Sequence, residues 1–379
     1  MPFGIEDGRL VVRGGFADVH VHFREPGFEY KETIATGAAA AVHGGFTDVC
    51  TMPNLSPVPD SLENLKVELD AIARCGDDVR IHPFGALTVG ERGGEMADLE
   101  AMAPYVCGFS DDGRGVDDAG LMKEAMAAAK ALGRTISAHC EVRGLIPPGA
   151  AVHDGAYAAA HGLDGIPSAS EWRMVERDLE LVRDTGCRYH VCHVSTKESL
   201  GIIRDAKADG LPVSCETAPH YLLLCDEDLR DDGRFKMNPP LRSAADRDAL
   251  VEGLADGSVD CVATDHAPHS ADEKSRGLAW SAFGIVGLEC AFPVLYTGLV
   301  ETGLVPLERL VDAMSSRPRS IFGLRSGDGD FTEIALDVTD RIDPSTVRSK
   351  GRSTPFDGMV VHARVLRTVH DDMDSRFRI

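Results

Sequence analysis

Lysine is scarce in this 379-residue chain, which has nine lysines against 30 arginines and 39 basic residues in all against 61 acidic ones. The formal net charge is therefore −22. Proteins that bind nucleic acid use clustered lysine and arginine side chains to displace counterions from the phosphates. We therefore expect no nucleic-acid partner for this chain.

Long hydrophobic runs are also missing. The chain has no stretch of about eighteen apolar residues, so we expect no transmembrane helix and no membrane partner. Residues 1–15 contain no basic segment followed by an apolar one, so we expect no secretory signal. The ten cysteines form no Cys-x-x-Cys pair, which favours free, buried thiols in a reducing compartment. The expected location is the cytoplasm.

The excess acidic residues are scattered along the chain in short pairs rather than gathered in one tail. A dense carboxylate surface with few lysines suits a protein that stays soluble in concentrated salt, where charge repulsion is screened. We interpret the composition as halophilic. An ordinary acidic cytosolic protein is the alternative.

Short apolar runs alternate with longer amphipathic or alanine-rich segments. Eight runs are predicted strands: 16–22, 46–52, 79–87, 105–109, 135–139, 188–194, 211–216 and 259–264. The predicted helices are 31–43, 61–75, 95–103, 117–132, 168–185, 197–208, 244–254, 284–299 and 306–315. Eight strand–helix units in roughly 300 residues favour an α/β fold of the (β/α)8 barrel type. A doubly wound open sheet is less favoured, because no glycine-rich nucleotide motif follows the first strand.

The chain ends differ from this repeating pattern. Residues 333–338 and 359–369 resemble two strands around a polar loop, and residues 9–13 resemble a third. We predict a small β appendage built from both ends of the chain. The predicted units are residues 1–15 for its N-terminal strand, 16–325 for the barrel and 326–379 for its C-terminal part.

Functional side chains of a parallel barrel project from the C-terminal ends of its strands. The polar residues at or just beyond the predicted strand ends are His20, His22, Asn54, Asp111, Asp112, His139, His193 and Asp265. The spacing of two between the first histidines places both on the same side of a strand. Histidines and carboxylates converging on one rim predict a site for two divalent metal ions, with zinc favoured.

Isolated histidines more often belong to the core or the surface than to a metal site. We interpret His43, His82, His153, His161, His220 and His362 in that way. His190 and Cys192 alternate with His193 along their strand, so they are expected to face the barrel wall.

Seven local sequences are similar to class I dihydroorotases, members of the amidohydrolase superfamily. They are DVHVHFREPG (18–27), TMPN (51–54), FSDDG (109–113), AHCE (138–141), CHVSTKES (192–199), FKMNPPLR (235–242) and ATDHAPH (263–269). They occur in the family's order and near its spacing, from about residue 15 to 365. The resemblance implies reversible cyclisation of N-carbamoyl-L-aspartate to L-dihydroorotate, in pyrimidine (UMP) biosynthesis.

The resemblance also implies the roles of individual residues. One metal is expected on His20, His22 and Asp265, and the second on His139 and His193. Asp112 would bridge the metals, a choice that the residues alone leave open between Asp111 and Asp112. A hydroxide shared by the metals would be the nucleophile and Asp265 the general acid and base. The residues expected to contact the anionic substrate are His22, Arg24, Asn54, Asn238, His269, Phe283 and Gly284.

Two other functions stay open. Hydantoinases and allantoinases resemble this scaffold but commonly bridge their metals with a carboxylated lysine on the fourth strand. The sequence has no lysine between Lys66 and Lys123, and Lys123 falls in a predicted helix where a solvated face is expected. A non-catalytic dihydroorotase-like subunit of aspartate transcarbamoylase is the other alternative, and it would have no reason to retain all six ligands.

Several expectations are less specific. Arg24 could instead pair with Glu25 or Glu29 as an ordinary loop charge. Residues 270–282 form either a surface loop or a lid over the substrate. The resemblance also implies more N-terminal strands than this chain carries, so we expect a reduced appendage or a truncated start. A homodimer and association with aspartate transcarbamoylase are considered as assemblies.

Overall fold

The computed structural model describes residues 3–6, 8–76 and 78–370. Residues 371–379 of the predicted C-terminal unit, and residues 1, 2 and 7 of the predicted N-terminal unit, lie outside the described residues. Within the described part, no helix combines the length and the apolar character needed to cross a bilayer.

The strands and helices alternate along most of the chain. The strands are β1 (Phe3–Glu6), β2 (Arg9–Arg13), β3 (Phe16–Val21), β4 (Phe46–Thr51), β5 (Arg80–Ala86), β6 (Gly108–Ser110), β7 (Thr135–Ala138), β8 (Val152–His153), β9 (Gly165–Ile166), β10 (Tyr189–Val191), β11 (Val213–Thr217), β12 (Cys261–Val262), β13 (Phe331–Ala335), β14 (Asp340–Arg341), β15 (Val360–Val361) and β16 (Arg364–Val369). The helices are α1 (Ile34–His43), α2 (Leu62–Cys75), α3 (Leu99–Met102), α4 (Ala119–Ala131), α5 (Ala156–His161), α6 (Ala169–Thr185), α7 (Lys197–Ala208), α8 (Pro219–Leu223), α9 (Ala244–Asp256), α10 (Ala271–Lys274), α11 (Gly277–Trp280), α12 (Ala291–Leu295), α13 (Leu307–Met314) and α14 (Ser316–Phe322).

Eight parallel strands form the barrel, in the order β3, β4, β5, β6, β7, β10, β11 and β12. Each overlaps one of the eight predicted strands, so the (β/α)8 prediction is confirmed. A second, four-stranded antiparallel sheet has the order β1-β2-β13-β16. It is the predicted appendage, and it joins strands from both ends of the chain.

The helices that follow barrel strands begin at side chains suited to that position. Thr33, Ser61, Asp118, Thr196 and Ser243 each accept a hydrogen bond from a backbone N–H in the first turn of α1, α2, α4, α7 and α9. Such caps satisfy donors that have no partner inside the helix. They fix where each connecting loop ends and hence how the rim above the strands is shaped.

The barrel closes between β3 and the chain that follows β12. His22 donates its backbone N–H to the carbonyl oxygen of His266 at 2.9 Å. Nearer the N-terminal end of β3, the buried Asp18 carboxylate accepts the Thr264 N–H at 3.1 Å. A side chain thus completes the hydrogen bonding where the two strands diverge.

One predicted helix, 284–299, is wrong over its first half. Ile285 is extended and forms a parallel bridge with His266, and the Ala267 N–H bonds the Ile285 carbonyl at 2.7 Å. Helix α12 therefore begins only at Ala291. The Ile285 carbonyl is bonded in the barrel closure, so it is not available for a helical hydrogen bond.

The opposite end of the barrel is held by a buried ion cluster around Asp48 of β4. The Asp48 carboxylate accepts bonds from Arg80 and His82 of β5 and, at 2.6 Å, from Arg319 of α14. Arg319 also donates to the Gly14 carbonyl at 2.6 Å. Burial alone would raise the pKa of Asp48, but bonds from His82 and Arg80 and the charge of Arg319 hold it well below its ordinary value.

The Asp48→Ala substitution should lower the free energy of unfolding by about 3–5 kcal/mol, because it leaves the Arg319 cation buried without its partner. Since the folded-state pKa of Asp48 is lowered, its contribution is present above pH ~4 and is lost as the pH falls. Denaturant unfolding of both proteins between about pH 2 and pH 7 measures this difference and its decrease below pH ~4. The matched control is Asp184→Ala, which removes an exposed partner of Lys123 and should cost less than about 1 kcal/mol. Equal costs for the two variants would contradict the account.

Candidate active site

Asp112, two residues beyond the end of β6, faces the other predicted metal ligands. Its Oδ1 atom lies 3.4 Å from His20 Nε2, 3.6 Å from His193 Nε2 and 3.9 Å from His139 Nδ1. Its Oδ2 atom lies 3.5 Å from His22 Nε2. Burial acts to raise the pKa of Asp112, but His20 and His193 hold it well below its ordinary value. One carboxylate thus faces four imidazoles.

Asp265 adjoins the histidine pair on β3. Its Oδ1 atom lies 3.1 Å from His22 Nε2 and 3.6 Å from His20 Nε2. On the other side of Asp112, His139 Nδ1 and His193 Nε2 are 2.9 Å apart. The six predicted ligands therefore form two groups that meet at Asp112.

Two of these residues have left-handed backbone conformations, with φ of 32° at His193 and 47° at Asp265. Residues other than glycine rarely adopt such angles, and the surrounding structure must impose them. Around His193 it does so through Glu171, whose carboxylate accepts the N–H groups of Ser195 and Thr196, both at 3.1 Å. The direction of this imidazole is thereby fixed.

The donor atoms fit a bound cation. Two of them, His20 Nε2 and Asp112 Oδ1, are buried and have no hydrogen-bond partner among the described residues. Buried polar atoms of this kind are costly unless they are paired. Imidazole nitrogens and carboxylate oxygens at this spacing are ligands for zinc and similar divalent ions.

The neighbouring Asp111 has a structural role. Its Oδ1 atom accepts the N–H groups of Leu87 and Thr88 at 2.8 and 3.0 Å, and its Oδ2 atom bonds the Thr88 hydroxyl. Burial raises its pKa to about 6. Asp111 therefore anchors the chain beyond β5, and Asp112 is the residue that faces the histidines.

Glu216, at the C-terminal end of β11, was not among the predicted site residues. Its Oε1 atom bonds His20 Nδ1 at 2.6 Å and accepts the His193 N–H at 3.4 Å, and its Oε2 atom bonds His190 Nε2 at 3.0 Å. Burial opposes its charge, but His20 and His190 keep its pKa below the ordinary range. A carboxylate at Nδ1 sets the tautomer of His20 and leaves Nε2 for the centre.

Asn54 contacts the centre directly, and Asn238 is linked to it through Glu141. Asn54 accepts a bond from His22 Nδ1 at 2.9 Å and donates to Asp112 Oδ2 at 3.3 Å. Asn238 donates to Glu141 at 3.0 Å, and the other Glu141 oxygen lies 3.7 Å from His139 Nε2. Glu141 ends the AHCE motif, but it was not among the predicted site residues.

Arg24 is buried and has a φ of 61°. Its Nε atom donates to the Pro268 carbonyl at 3.3 Å, and one terminal nitrogen lies 3.4 Å from His269 Nε2. Glu25 and Glu29, the alternative partners, instead accept the N–H groups of Ile34 and Gly27. Among the described residues, no carboxylate forms an ion pair with Arg24.

His269 is held neutral beside this guanidinium. Burial, together with the charges of Arg24 and Lys31, lowers its pKa to about 3. Its Nε2 atom donates to the Phe283 carbonyl at 2.8 Å, and Lys31 Nζ lies 3.3 Å from Nδ1. Lys31 is a third contributor that the sequence did not indicate.

A cavity of about 250 Å³ opens over the centre. Every predicted substrate-contact residue lines it: His22, Arg24, Asn54, Asn238, His269, Phe283 and Gly284. Main-chain groups of both Phe283 and Gly284 already have partners within the protein. The Phe283 carbonyl accepts from His269, and the Gly284 N–H donates to the Lys236 carbonyl at 3.0 Å. Their contact with substrate stays a prediction.

Residues expected outside the site do lie outside the cavity. His190 bonds Ser214 and Glu216 within the wall, and Cys192 lies 3.1 Å from the Ser137 hydroxyl. Lys123 is half-exposed on α4 and pairs with Asp184 at 2.7 Å. None of the six histidines assigned to core or surface lines the cavity: His43, His82, His153, His161, His220 and His362.

A parallel barrel with four histidines and two aspartates at its C-terminal rim defines a metal-dependent hydrolase of the amidohydrolase type. The dihydroorotase-like family model, described as "Dihydro-orotase-like", matches residues 8–199. The dihydroorotase of Brevibacillus brevis is 50% identical over 359 residues, which cover 92% of this chain and 84% of that protein. The dihydroorotase of Bacillus caldolyticus is 50% identical over 361 residues, covering 93% and 84%. The chain belongs to the dihydroorotase family.

Solved structures support the same class of cyclic amide hydrolases. The L-hydantoinase of Arthrobacter aurescens superposes with a TM-score of 0.84 at 26% identity, covering 96% of this chain and 84% of that chain. A D-hydantoinase from a Thermus species gives a TM-score of 0.79 at 25% identity, with the same coverage. The likeness includes the barrel and the strands appended to it.

The Glu216→Gln substitution should weaken metal binding about 10–100-fold, because the anionic acceptor that orients His20 is lost. Zinc titration against a competing chelator measures this. The matched control is Glu68→Gln. Glu68 is equally buried on α2, bonds the Thr51 hydroxyl, and has a pKa raised to about 8 by burial, so the amide replaces an uncharged acid. Zinc affinity equal to that of the unmodified protein in Glu216→Gln would exclude this role.

Proposed function

We propose that the chain interconverts L-dihydroorotate and N-carbamoyl-L-aspartate, the ring-closing step of pyrimidine synthesis. The observation that carries this proposal is one cavity that joins a histidine–aspartate centre to a buried arginine, and no carboxylate of the described residues forms an ion pair with that arginine. Membership in the dihydroorotase family supports the same substrate. The centre suits amide chemistry, and the arginine suits an anionic group on the substrate.

The cationic end of the cavity supports an anionic substrate in a protein whose charge is −22. Arg24 can bind a carboxylate through two parallel N–H bonds. Three of only nine lysines in the chain lie at the same end: Lys31 beside His269, Lys236 with its Nζ 4.4 Å from the Phe283 ring centre, and Lys274 bonded to the Gly284 carbonyl. We propose that this end holds the substrate carboxylate, with Asn54 and His269 beside it.

We propose that His20, His22 and Asp265 hold one divalent cation and that His139 and His193 hold a second, with Asp112 between them. Zinc suits these nitrogen and oxygen ligands. When bound, such cations supply a hydroxide at neutral pH and polarise the amide carbonyl. The remaining chemistry belongs to side chains of the protein.

Asp265 is placed to move the proton. Its carboxylate lies against His22 and faces the cavity, and His22 and His20 hold its pKa below the ordinary value although burial opposes this. It therefore begins as a base. In hydrolysis it accepts the proton of the attacking water and delivers it to the departing ring nitrogen. In cyclisation the same carboxylate carries the proton in the opposite direction.

A hydantoinase-like activity is the second candidate, and the structural likeness to hydantoinases favours it. Two features argue against it. The position between the two ligand groups is filled by Asp112 rather than by a lysine, and the buried Arg24 is unnecessary for an uncharged cyclic ureide. We therefore rank dihydroorotate first. The retained ligands likewise argue against a purely scaffolding subunit.

We further propose a cytoplasmic location, supported by ten cysteines that are all free thiols. The scarcity of lysine and the charge of −22 support a halophilic source. Residues 16–325 are proposed as the catalytic unit and the terminal strands as its appendage. A homodimer and association with aspartate transcarbamoylase stay predictions.

The purified protein should convert L-dihydroorotate to N-carbamoyl-L-aspartate, and the rate should fall on chelation and return with zinc. Under the halophilic interpretation the rate should be higher in molar than in low potassium chloride. The Asp265→Asn variant should lose at least about 10²–10⁴-fold of the turnover, because the proton carrier is lost. Absorbance of the ring amide follows the reaction, and metal content is measured for each protein.

Absence of turnover in a folded protein with two bound metals would contradict the proposed substrate. Hydantoin and allantoin, tested in parallel, would then identify the alternative activity. Full activity of Asp265→Asn would remove Asp265 from the mechanism.

The Arg24→Ala substitution should raise KM for dihydroorotate about 30-fold or more, because a substrate carboxylate in the closed cavity loses its charged partner. Metal content should not change. Arg143→Ala is the matched control, since Arg143 pairs with Asp117 on the exposed surface. An unchanged KM in Arg24→Ala would disprove the anchoring role.

A further inference from the structure

Lys274 is a buried lysine beside the cavity that the proposed mechanism does not use. It lies at the end of α10, and only 8% of the residue is exposed. In the described part of the chain, no carboxylate forms an ion pair with it. Its ammonium group bonds carbonyl oxygens of the main chain instead. We call residues 270–284, which contain α10, α11 and the cavity-lining Phe283 and Gly284, the wall segment.

The three carbonyls that accept from Lys274 belong to two separate parts of the cavity wall. Nζ lies 2.7 Å from the oxygen of Ala282, 2.7 Å from that of Gly284 and 3.0 Å from that of Lys236. Gly284 lines the cavity directly, and Lys236 precedes the cavity residue Asn238 by two positions. One ammonium group thus joins the wall segment to the loop that carries Asn238.

The two parts also pack closely around Lys274. A Cβ atom on Gly233 would lie 2.2 Å from the Lys274 carbonyl oxygen, so only glycine allows this approach. Gly284 has a φ of 130°, and a Cβ there would lie 2.6 Å from the Ala267 carbonyl oxygen. The backbone at Gly284 thus packs against Ala267 so closely that no side chain fits between them. The position of the wall segment therefore depends on the bonds from Lys274 to the Ala282 and Gly284 carbonyls.

Removing the ammonium would take this donor from the carbonyl oxygens of Ala282 and Gly284 in a partly closed site, which is costly, whereas the Lys236 carbonyl would keep its bond from the Gly284 N–H. The wall segment would relieve that cost by moving its carbonyls toward water. Burial lowers the pKa of Lys274 to about 7, with Lys236 acting in the same direction and Asp232 and Glu273 opposing it. The carbonyls thus replace the hydration that this amine gives up on burial.

We propose that Lys274 is a positioning residue for substrate binding, which fixes the wall segment and the loop of Asn238 through its three carbonyl bonds. This inference rests on the proposed function, because it assigns the wall to that substrate. It predicts that Lys274 acts on the binding of substrate much more than on the chemical step. The proposed metal ligands themselves lie outside the wall segment and the loop of Asn238.

The kinetic test compares Lys274→Met with Lys207→Met. Lys207 also bonds a main-chain carbonyl, that of Ser258 at 2.7 Å, and it pairs with Asp260 as well, but it lies on α7 outside the cavity lining. We expect KM for L-dihydroorotate to rise at least about tenfold in Lys274→Met with kcat within about threefold of the unmodified enzyme. We expect neither constant to change in Lys207→Met.

The second measurement does not require turnover. Hydrogen exchange of the zinc-loaded proteins reports the N–H groups of Gly284, bonded to Lys236, and of Ala282, bonded to Glu273. We expect both to exchange at least about tenfold faster in Lys274→Met and at the unmodified rate in Lys207→Met. If Lys274→Met does not fold, Lys274→Gln, which keeps two N–H donors, takes its place in both experiments.

Unchanged exchange at Gly284 and Ala282 together with an unchanged KM would overturn the assignment. A loss confined to kcat, with KM unaltered, would also overturn it. Absence of dihydroorotate turnover in the unmodified enzyme would instead refute the proposed substrate. The exchange measurement would still decide whether Lys274 holds the wall.

Discussion

The closure of the barrel between β3 and the chain after β12 is the constraint on which the site depends. His22 and Asp265 are separated by most of the chain, yet the bond from the His22 N–H to the His266 carbonyl and the Asp18–Thr264 contact bring them side by side. The same closure holds Ile285 in a parallel bridge with His266, and the next helix begins only at Ala291. Asp112 then lies within reach of imidazoles from three strands. The ligand geometry is a consequence of how a parallel sheet of eight strands meets itself.

Charge is distributed unevenly in relation to this site. The molecule as a whole repels anions, but Arg24 lines the cavity and three of the nine lysines contact residues of its wall. The attraction between these cationic side chains and an anion acts over short distances. Salt screens the repulsion between the anion and the acidic surface more strongly than it screens contacts inside a cavity. An acidic protein that binds an anion therefore gains from concentrated salt. The proposed substrate and the proposed halophilic source are in this way physically compatible.

The barrel and the convergence of His20, His22, Asp112, His139, His193 and Asp265 could be predicted because strand periodicity and position at a strand end are local properties of a sequence. The choice between Asp111 and Asp112 could not be made from those properties, since it depends on which carboxylate turns back to the N–H groups of Leu87 and Thr88. Glu216 was missed although it ends a predicted strand, because its role depends on contacts with His20 and His190 of other strands. Lys31 and Lys274 carry no local signal at all. Their partners are main-chain carbonyls or side chains brought near by tertiary packing.

Anomalous X-ray diffraction from crystals of the protein grown with zinc tests the central claim most directly. The account predicts two peaks on opposite sides of the Asp112 carboxylate, one beside His20, His22 and Asp265 and the other beside His139 and His193. A single peak that leaves one of these groups empty, or two peaks of which neither contacts Asp112, would contradict it.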